Sequence, residues 1–150
     1  MQLRKAIDAD LSAVEDLLSA SKLPLDGVKE NFSNFVVAED ENGIVGVIGL
    51  EKFGSVALLR SALVSPGHRG SGIGSQLVEH LLERAGDDGI DELYLLTTTA
   101  EKYFPRFDFT PTTRSAVPDA LKSSAEFQGA CPDTAVVMTR RIATTSKARA

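Results

Sequence analysis

The chain has 150 residues and a formal net charge of −5, and 43% of its residues are hydrophobic and 25% charged. These values are typical of one soluble globular domain with a hydrophobic core. No apolar run approaches the length of a membrane span, and lysine and arginine are scattered along the chain rather than clustered. We therefore expect neither a membrane nor a nucleic acid as a partner.

The N-terminal segment and the cysteine content bear on the cellular compartment. Residues 1–11 lack the apolar core of a signal peptide, and the single cysteine, Cys131, cannot form an intrachain disulfide. Both features predict a cytoplasmic protein. We interpret Cys131 as a packed thiol rather than a nucleophile, since no histidine lies near it in the sequence.

Apolar periodicity and turn residues divide the first half of the chain into helices and strands. Apolar residues recur at helical spacing from Leu11 to Leu18, and we expect this helix to end before Pro24. Asn42-Gly43 predicts a tight hairpin with both residues at positive φ. The predicted elements are a strand at 2–7, a helix at 8–22 with Asp8 as its N-cap, a short helix at 25–34, and strands at 35–39, 44–52 and 55–64.

The second half alternates helical segments with strands. An amphipathic pattern predicts a helix from Ile73 to the stop signal at residues 86–89, and a buried strand with a polar end follows at 93–99. A short helix at 100–107 would include Pro105, which removes one helical hydrogen bond. The remaining predictions are a strand from residue 109, a helical turn at 118–126, a turn at Pro132-Asp133 and a last strand at 135–138.

A basic, glycine-rich turn lies between the strand at 55–64 and the helix that begins at Ile73. Its sequence is Arg69-Gly70-Ser71-Gly72-Ile73-Gly74. Unpaired backbone N–H groups and the positive end of the helix dipole at such a junction favour phosphate oxygens. No Gly-Lys-Ser/Thr follows, and the glycine spacing differs from a dinucleotide fingerprint, so neither of those phosphate-binding loops is predicted.

The pattern Arg69-x-x-Gly72-x-Gly74 resembles the pyrophosphate loop for acetyl-CoA in the GCN5-related N-acetyltransferases (GNAT); the alternative is a glycine-rich turn with an incidental arginine. The resemblance extends to the order of elements over nearly the whole chain. It implies an α/β (α+β) fold: a mixed, mostly antiparallel sheet of about six to seven strands, splayed at the cofactor cleft and flanked by about four helices. Residues 1–142 would form the single domain, and 143–150 a disordered tail.

Three further segments, at 58–61, 95–101 and 130–138, resemble the arsenic-resistance N-acetyltransferases, which are related to the acetyltransferase domain of N-acetylglutamate synthase. The resemblance implies direct acetyl transfer in a ternary complex. Its acceptor would be the primary amine of a small amino-acid-like molecule, such as glutamate or the glutamate mimic arsinothricin. It also implies that the short helix at 25–34 lies over the acceptor site, and it is compatible with a homodimer.

Acetyl transfer requires an amine that loses a proton, a polarised thioester carbonyl and a protonated leaving thiolate. In the family a backbone N–H polarises the carbonyl, and this role corresponds to Leu63 or Val64. Glu51 is our candidate for the base, acting through a water molecule; the alternative is a glutamate that faces solvent at a strand end.

The family's usual proton donor, a tyrosine, corresponds to Phe104 in this chain. Tyr103 is one residue away, which is roughly 100° around a helix. Either Tyr103 replaces the donor, or the thiolate leaves without a dedicated acid, since a thiol has a pKa of only about 8.5. Tyr103 could also be a packing residue.

The candidate acceptor residues are Arg60, Ser61, Thr97 and Thr98. Arg60 interrupts an apolar strand, so it could bind a carboxylate through two bonds, or pair with Glu51. Strand alternation places Arg60 on one face with Ala62, and Ser61 on the other. Residues that the resemblance assigns to the cofactor are Leu63, Val64, Arg69, Gly70, Ser71, Gly72, Ile73, Gly74, Ser75 and Phe104.

Other functions remain open at this level. The same fold could acetylate a polyamine or a protein N-terminus, although Arg60 disfavours a polyamine. The absence of the usual tyrosine also suits a non-catalytic acyl-CoA sensor. We expect His68 to face solvent or phosphate, and we expect no metal site, because two histidines and one cysteine show no ligand spacing.

Overall fold

A computed structural model describes residues 1–130 and 134–142. Seven strands form one sheet in the order β1-β2-β3-β4-β5-β7-β6, and most neighbouring strands are antiparallel. The exception is β4, which pairs in parallel with β5. The predicted mixed sheet is thereby confirmed. Its strands are β1 Gln2–Lys5, β2 Val36–Asp40, β3 Gly43–Phe53, β4 Val56–Val64, β5 Glu92–Thr97, β6 Thr110–Thr112 and β7 Val136–Arg141.

Two α-helices occur in the described part of the chain, α1 at Leu11–Ala20 and α2 at Ile73–Asp87. The other two expected helices are shorter turns. Residues 26–31 form successive turns before a 3-10 turn at Phe32–Asn34, and Gly27 has φ +84°, which interrupts a right-handed helix. Pro105 is the second residue of a 3-10 turn at Phe104–Phe107, which is followed by Asp108 at φ +67°. Further short turns are Asp8–Asp10, Pro66–His68, Arg114–Ala116, Asp119–Ser123 and Glu126–Ala130.

The chain divides into two compact units, and the boundary crosses β3, β4 and α2. The first unit contains Met1–Leu50 and Arg60–Leu81; the second contains Glu51–Leu59 and the described residues from Leu82 onward. The core of the first unit is formed by buried residues of α1, β2, β3 and the segment after α1. These residues are Ala6, Val14, Leu18, Val28, Phe32, Phe35, Val37 and Val47.

Helix α1 forms because the apolar residues that recur at helical spacing pack into the core of the first unit. Val14 and Leu18 are fully buried, and Leu11 and Leu17 pack at the margin of the same core. The helix ends with Lys22 in the left-handed region at φ +61°, and the Leu23 N–H donates to the Leu18 carbonyl over 3.0 Å. This is a Schellman cap with a lysine in the place that glycine usually takes. The predicted end before Pro24 is confirmed.

The predicted N-cap at Asp8 is wrong, since Asp8 begins a 3-10 turn and α1 starts at Leu11. Asp10 is the structurally important acid of this segment. Its carboxylate accepts from Arg4 Nη1 at 2.8 Å and from the Ile7 N–H at 2.9 Å. The hydrogen bond from Arg4 is the main reason that the pKa of Asp10 lies below its usual range.

The hairpin between β2 and β3 forms as predicted, but its turn differs. Asp40 pairs with Gly43, so Glu41 and Asn42 are the turn residues, and Gly43 is the residue at positive φ (+122°). The Asp40 carboxylate accepts from the Asn42 N–H at 2.8 Å, and this bond replaces the expected type I′ geometry.

In the second unit, β5 pairs in parallel with β4 from Val56 to Leu58 and antiparallel with β7 along its whole length. Short β6 pairs with the other edge of β7. The core of this unit consists of Leu58, Tyr94, Val117, Leu121 and Val137, with Phe53, Val56, Leu96 and Phe127 at its margin. It supports the strand ends and turns that carry the candidate residues of this unit.

Three predictions fall outside the described residues: the turn at Pro132-Asp133, the packing of Cys131 and the tail at 143–150. Over the part of the chain that is described, none of the helices has both the length and the apolarity needed to cross a bilayer.

Candidate functional site

Strand β4 contains a residue in the left-handed region, Ser61, with φ +58°. Such a conformation costs a non-glycine residue about 1 to 3 kcal/mol. Burial does not alternate along this strand, because every residue from Ala57 to Ser61 is buried while Ala62 is exposed. Burial therefore does not separate the two faces of β4, and the expectation that Arg60 and Ala62 share one face stays a prediction.

Arg60 is 2% exposed and is oriented by two hydrogen bonds within the first unit. Its Nε donates to Ser61 Oγ at 3.2 Å, and its Nη2 donates to the Pro24 carbonyl at 3.4 Å. Pro24 lies in the segment after α1 and directly precedes residues 25–34, where the short second helix was expected. The Arg60 guanidinium thus connects β4 to the segment after α1, and the Ser61 hydroxyl accepts one of its hydrogen bonds.

The glycine-rich loop lies where predicted, between β4 and α2. Ser65 continues the sheet by donating its N–H to the Val45 carbonyl at 2.8 Å, and a 3-10 turn at Pro66–His68 follows. Gly70 and Gly72 have φ +85° and +86°, and a Cβ at either would meet no other atom within 4 Å. Both glycines are therefore required by backbone conformation and leave open space beside the main chain.

The side chains of the loop bond back to its own backbone. Arg69 is exposed, and its Nε donates to the Val64 carbonyl at 3.1 Å, while Ser71 Oγ donates to the His68 carbonyl. Residues 69–72 are exposed and Ile73, the first residue of α2, is 6% exposed. The N-terminus of a helix that is itself anchored in the core is therefore accessible from solvent.

His68 has two hydrogen-bond partners within the first unit. Its Nδ1 lies 2.8 Å from Ser65 Oγ, and its Nε2 lies 3.1 Å from Asp40 Oδ2. The side chain remains 38% exposed, and the expectation that it faces solvent or phosphate stays a prediction. Asp40 keeps a pKa below its usual range, first because of the Asn42 N–H and then because of His68.

In the second unit, Glu51 is 6% exposed, which rules out the alternative of a solvent-facing glutamate. Its Oε1 accepts from Ser124 Oγ at 2.9 Å, and the same hydroxyl accepts from the Glu126 N–H at 3.2 Å. Ser124 and Glu126 are 2% and 4% exposed. The structure therefore builds a buried polar cluster of Glu51, Ser124 and Glu126.

Tyr103 and Phe104 have different surroundings. Phe104 is 6% exposed and packs edge-on against Phe109, with 5.6 Å between ring centroids. Tyr103 is half-buried, and the guanidinium carbon of Arg106 lies 4.4 Å from its ring centroid. Phe104 thus occupies the core position, and Tyr103 carries the phenol at its margin.

The threonines at the end of β5 also differ from each other. Thr97 Oγ1 accepts from the Ala100 N–H at 2.8 Å and from the Thr99 N–H at 3.3 Å, which closes a turn at the strand end. Thr98 is exposed. The Thr97 hydroxyl therefore stabilises the turn after β5, which its position in the sequence did not indicate.

The first unit contains Arg60, Ser61 and the glycine loop, and the second contains Glu51, Thr97, Tyr103 and Phe104. Sequence reasoning missed Ser124, Glu126 and Asp40. The local sequence does not distinguish them from surface residues, because Ser124 bonds to Glu51, 73 residues away, and Asp40 to His68, 28 residues away. Among the described residues, no group of three His, Cys, Asp or Glu side chains could hold a metal ion.

The chain resembles known proteins over most of its length. It is 23% identical over 139 residues to the amino-acid acetyltransferase of Escherichia coli K12, which covers 85% of this chain and 31% of that protein. The chain spans less than half the length of the first curated relatives that it matches.

Solved structures show the same fold. N-acetylglutamate synthase from Neisseria gonorrhoeae, solved with coenzyme A and N-acetyl-glutamate, matches with a TM-score of 0.81 at 21% identity, over 94% of this chain and 35% of that one. Rv2747 from Mycobacterium tuberculosis, solved with CoA, matches with a TM-score of 0.78 at 22% identity, over 95% of this chain and 99% of that one.

The Acetyltransferase (GNAT) domain family matches residues 31–111, which include β2, β3, β4, the glycine loop, α2 and β5. This range is more than half of the chain and contains the loop on which the resemblance in the sequence rests. The chain belongs to the GNAT acetyltransferase family.

Proposed function

We propose that this chain is an N-acetyltransferase that transfers the acetyl group of acetyl-CoA directly to the primary amine of a small amino-acid-like acceptor. The observation that carries the proposal is the segment Arg69–Gly74, in which exposed residues 69–72 lead into the N-terminus of α2 inside the region that matches the family. The amino-acid acetyltransferase of E. coli K12, with which the chain aligns over most of its length, supports the choice of acceptor.

The loop is proposed to bind the pyrophosphate of acetyl-CoA. Its open space at Gly70 and Gly72 lets phosphate oxygens reach backbone N–H groups, and Arg69 and the helix dipole add positive potential to an acidic chain. The remaining cofactor residues proposed from the family pattern are Leu63, Val64, Ser71, Ile73, Gly74, Ser75 and Phe104.

Acetyl-CoA supplies a thioester, whose carbonyl becomes an oxyanion as the amine attacks. A backbone N–H at Leu63 or Val64 would stabilise that charge. Glu51 would take the proton of the attacking amine through a water molecule. Tyr103 would protonate the leaving sulfur, or the thiolate would leave unassisted, because its pKa of about 8.5 makes it a good leaving group.

The acceptor is proposed to carry a carboxylate that Arg60 binds, as in a glutamate-like or arsinothricin-like molecule. This guanidinium donates to Ser61 Oγ and to the carbonyl of Pro24, which directly precedes the segment 25–34 that the family places over the acceptor. A fixed fork loses little rotamer entropy when it binds a carboxylate through two parallel bonds. Ser61, Thr97 and Thr98 are the other proposed acceptor contacts.

A non-catalytic acyl-CoA sensor is the second candidate. Phe104 at the usual position of the tyrosine favours it, since Phe104 packs in the core and has no proton to donate. If the acceptor were a polyamine or a protein N-terminus, the acetyl transfer would be the same, but the acceptor would not require Arg60 to bind a carboxylate.

Release of free thiol from acetyl-CoA, measured across amino acids, polyamines and N-terminal peptides, tests these functions. The proposal expects turnover with amino acids that bear a free α-carboxylate. Turnover only with polyamines or peptides would contradict the proposed class of acceptor. CoA binding without turnover on any amine would contradict the proposed catalytic activity.

A further inference from the structure

We propose that Asp40, His68 and Ser65 are positioning residues for acetyl-CoA: they hold the start of the pyrophosphate loop against the β2–β3 hairpin. The inference rests on the proposed function and adds residues that lie outside the glycine pattern. It predicts that the imidazole controls how well the loop binds the cofactor, without touching the reacting atoms.

The three side chains form a continuous chain of hydrogen bonds. Ser65 Oγ lies 2.8 Å from His68 Nδ1, and His68 Nε2 lies 3.1 Å from Asp40 Oδ2. The other oxygen of Asp40 accepts from the Asn42 N–H at 2.8 Å. The side chains of His68 and Asp40 are 38% and 22% exposed, so solvent screens this pair only in part.

The partners determine which imidazole nitrogen carries the proton. An ionised carboxylate only accepts hydrogen bonds, so Nε2 must be the donor to Asp40. In the neutral ring Nδ1 is then the acceptor, and the Ser65 hydroxyl donates to it. One tautomer of the neutral ring therefore satisfies all three groups and fixes the ring's orientation.

We call Asp40, His68 and Ser65 the clamp. They lie where the chain leaves the sheet and the glycine-rich loop begins. The Ser65 N–H donates to Val45 at 2.8 Å and the His68 N–H to Ser65 at 2.9 Å, so the main chain up to His68 is anchored. Beyond it, residues 69–72 are exposed and include two glycines at positive φ. Glycines allow many conformations, so the anchor limits the entropy that the loop loses when it binds pyrophosphate.

Two further bonds connect the clamp to the loop itself. Ser71 Oγ donates to the carbonyl of His68, and Arg69 Nε donates to the carbonyl of Val64, just before the clamp. A displaced His68 would therefore shift the carbonyl that holds Ser71. The consequence is a lower affinity for the pyrophosphate, whereas the acceptor and the chemical step are unaffected.

The test is calorimetric binding of CoA, together with steady-state kinetics, for wild type, His68→Ala, Asp40→Ala and the double variant. Each single change should raise Kd for CoA and KM for acetyl-CoA about tenfold, the equivalent of one charge-assisted hydrogen bond. The double variant should lose no more than either single one, because both break the same link. His80→Ala, which removes the chain's other histidine from α2, is the matched control and should bind normally.

His68→Gln retains an amide donor near the Nε2 position and should recover most of the affinity. The kcat value and KM for the acceptor should stay within about twofold in every variant that binds. Additive losses, or unchanged CoA affinity in a folded His68→Ala protein, would overturn the inference. A wild type that does not bind CoA would instead refute the proposed function.

Ser65→Ala separates positioning from chemistry. As a positioning residue, Ser65 should affect KM for acetyl-CoA and leave kcat near its wild-type value. Loss of kcat with normal CoA affinity would mean that the Ser65–His68–Asp40 chain acts as a nucleophile and base, which contradicts the inference.

Discussion

The hydroxyl of Ser124 lies 2.9 Å from Oε1 of Glu51, although 73 residues separate them in the sequence. Ser124 is 2% exposed and also accepts the N–H of Glu126, so its hydroxyl proton is directed to Glu51. This bond orients the carboxylate that we propose as the base. A carboxylate held in one orientation can accept a proton along a defined direction.

We expect Glu51→Gln to lower kcat by about 10²- to 10⁴-fold, the usual contribution of a positioned base. Ser124→Ala should lower kcat about tenfold, because it removes one hydrogen bond to a charged group. Steady-state kinetics at saturating acetyl-CoA measure both. The control is Ser123→Ala, since Ser123 is exposed and donates to the Ala120 carbonyl instead. A Glu51→Gln enzyme with normal kcat would show that Glu51 is structural.

Gly72→Val should weaken CoA binding, because a branched side chain would fill the open space beside the phosphates. The substitution also forces a β-branched residue to φ +86°, so backbone strain must be separated from the loss of the site. Gly89→Val is the matched control: Gly89 has φ +80°, open space around it, and a place at the end of α2. Calorimetry should show reduced affinity in the first variant and normal affinity in the second. Equal affinity in both would contradict the assignment of the loop.

Arg60→Lys should raise KM for a carboxylate-bearing acceptor and leave KM for acetyl-CoA nearly unchanged. Lysine keeps the charge but loses the planar fork, at a cost of about 1.5 to 3 kcal/mol in acceptor binding. The measurement compares an amino acid with its amide in both proteins. If wild type shows no preference for the free carboxylate, or if the substitution weakens both acceptors equally, Arg60 has a structural role.

Tyr103→Phe should lower kcat by less than about 10²-fold, because no side chain is expected to be an indispensable proton donor. The Arg106 guanidinium over the ring contacts a phenylalanine as well, so the packing of this variant should be preserved. Kinetics at saturating substrates test this. A larger loss with normal CoA binding would identify Tyr103 as the donor.

Arg4→Met should reduce stability in a pH-dependent way. The pKa of Asp10 is lowered mainly by the Arg4 hydrogen bond, so this contribution is present above the ordinary aspartate pKa and is lost as pH falls through the lowered one. At pH near 7 the free energy of unfolding should fall by about 1 to 3 kcal/mol. The difference from wild type should narrow below a pH of about 4. Urea denaturation at three pH values measures it, with exposed Lys5→Met as control. Arg4 also donates to Glu39 at 3.0 Å and lowers the pKa of that carboxyl, so a difference that is constant with pH would contradict the assignment to the two carboxylates that Arg4 binds.

Several parts of the fold could be predicted because their causes are local. The start of α2 at Ile73 follows from the apolar spacing after the glycines, and the hairpin at residues 40–43 follows from its turn residues. The turn geometry of that hairpin could not be predicted, since the Asp40 carboxylate accepts the Asn42 N–H and this bond changes the turn. The helix expected at 25–34 does not form, because Gly27 takes positive φ. A helical pattern of apolar residues gives no indication of that conformation.

The sequence by itself determined the strand–glycine loop–helix unit, and with it the family and the candidate pyrophosphate site. These depend on periodicity and backbone freedom within a few adjacent residues. Only the tertiary structure decided that Glu51 is buried against Ser124, that His68 bonds to Asp40, and that Ser61 lies in the left-handed region within β4. Each of these depends on a partner distant in sequence or on backbone strain balanced by surrounding packing, and the same residue types on a solvent-facing strand would look identical in the sequence.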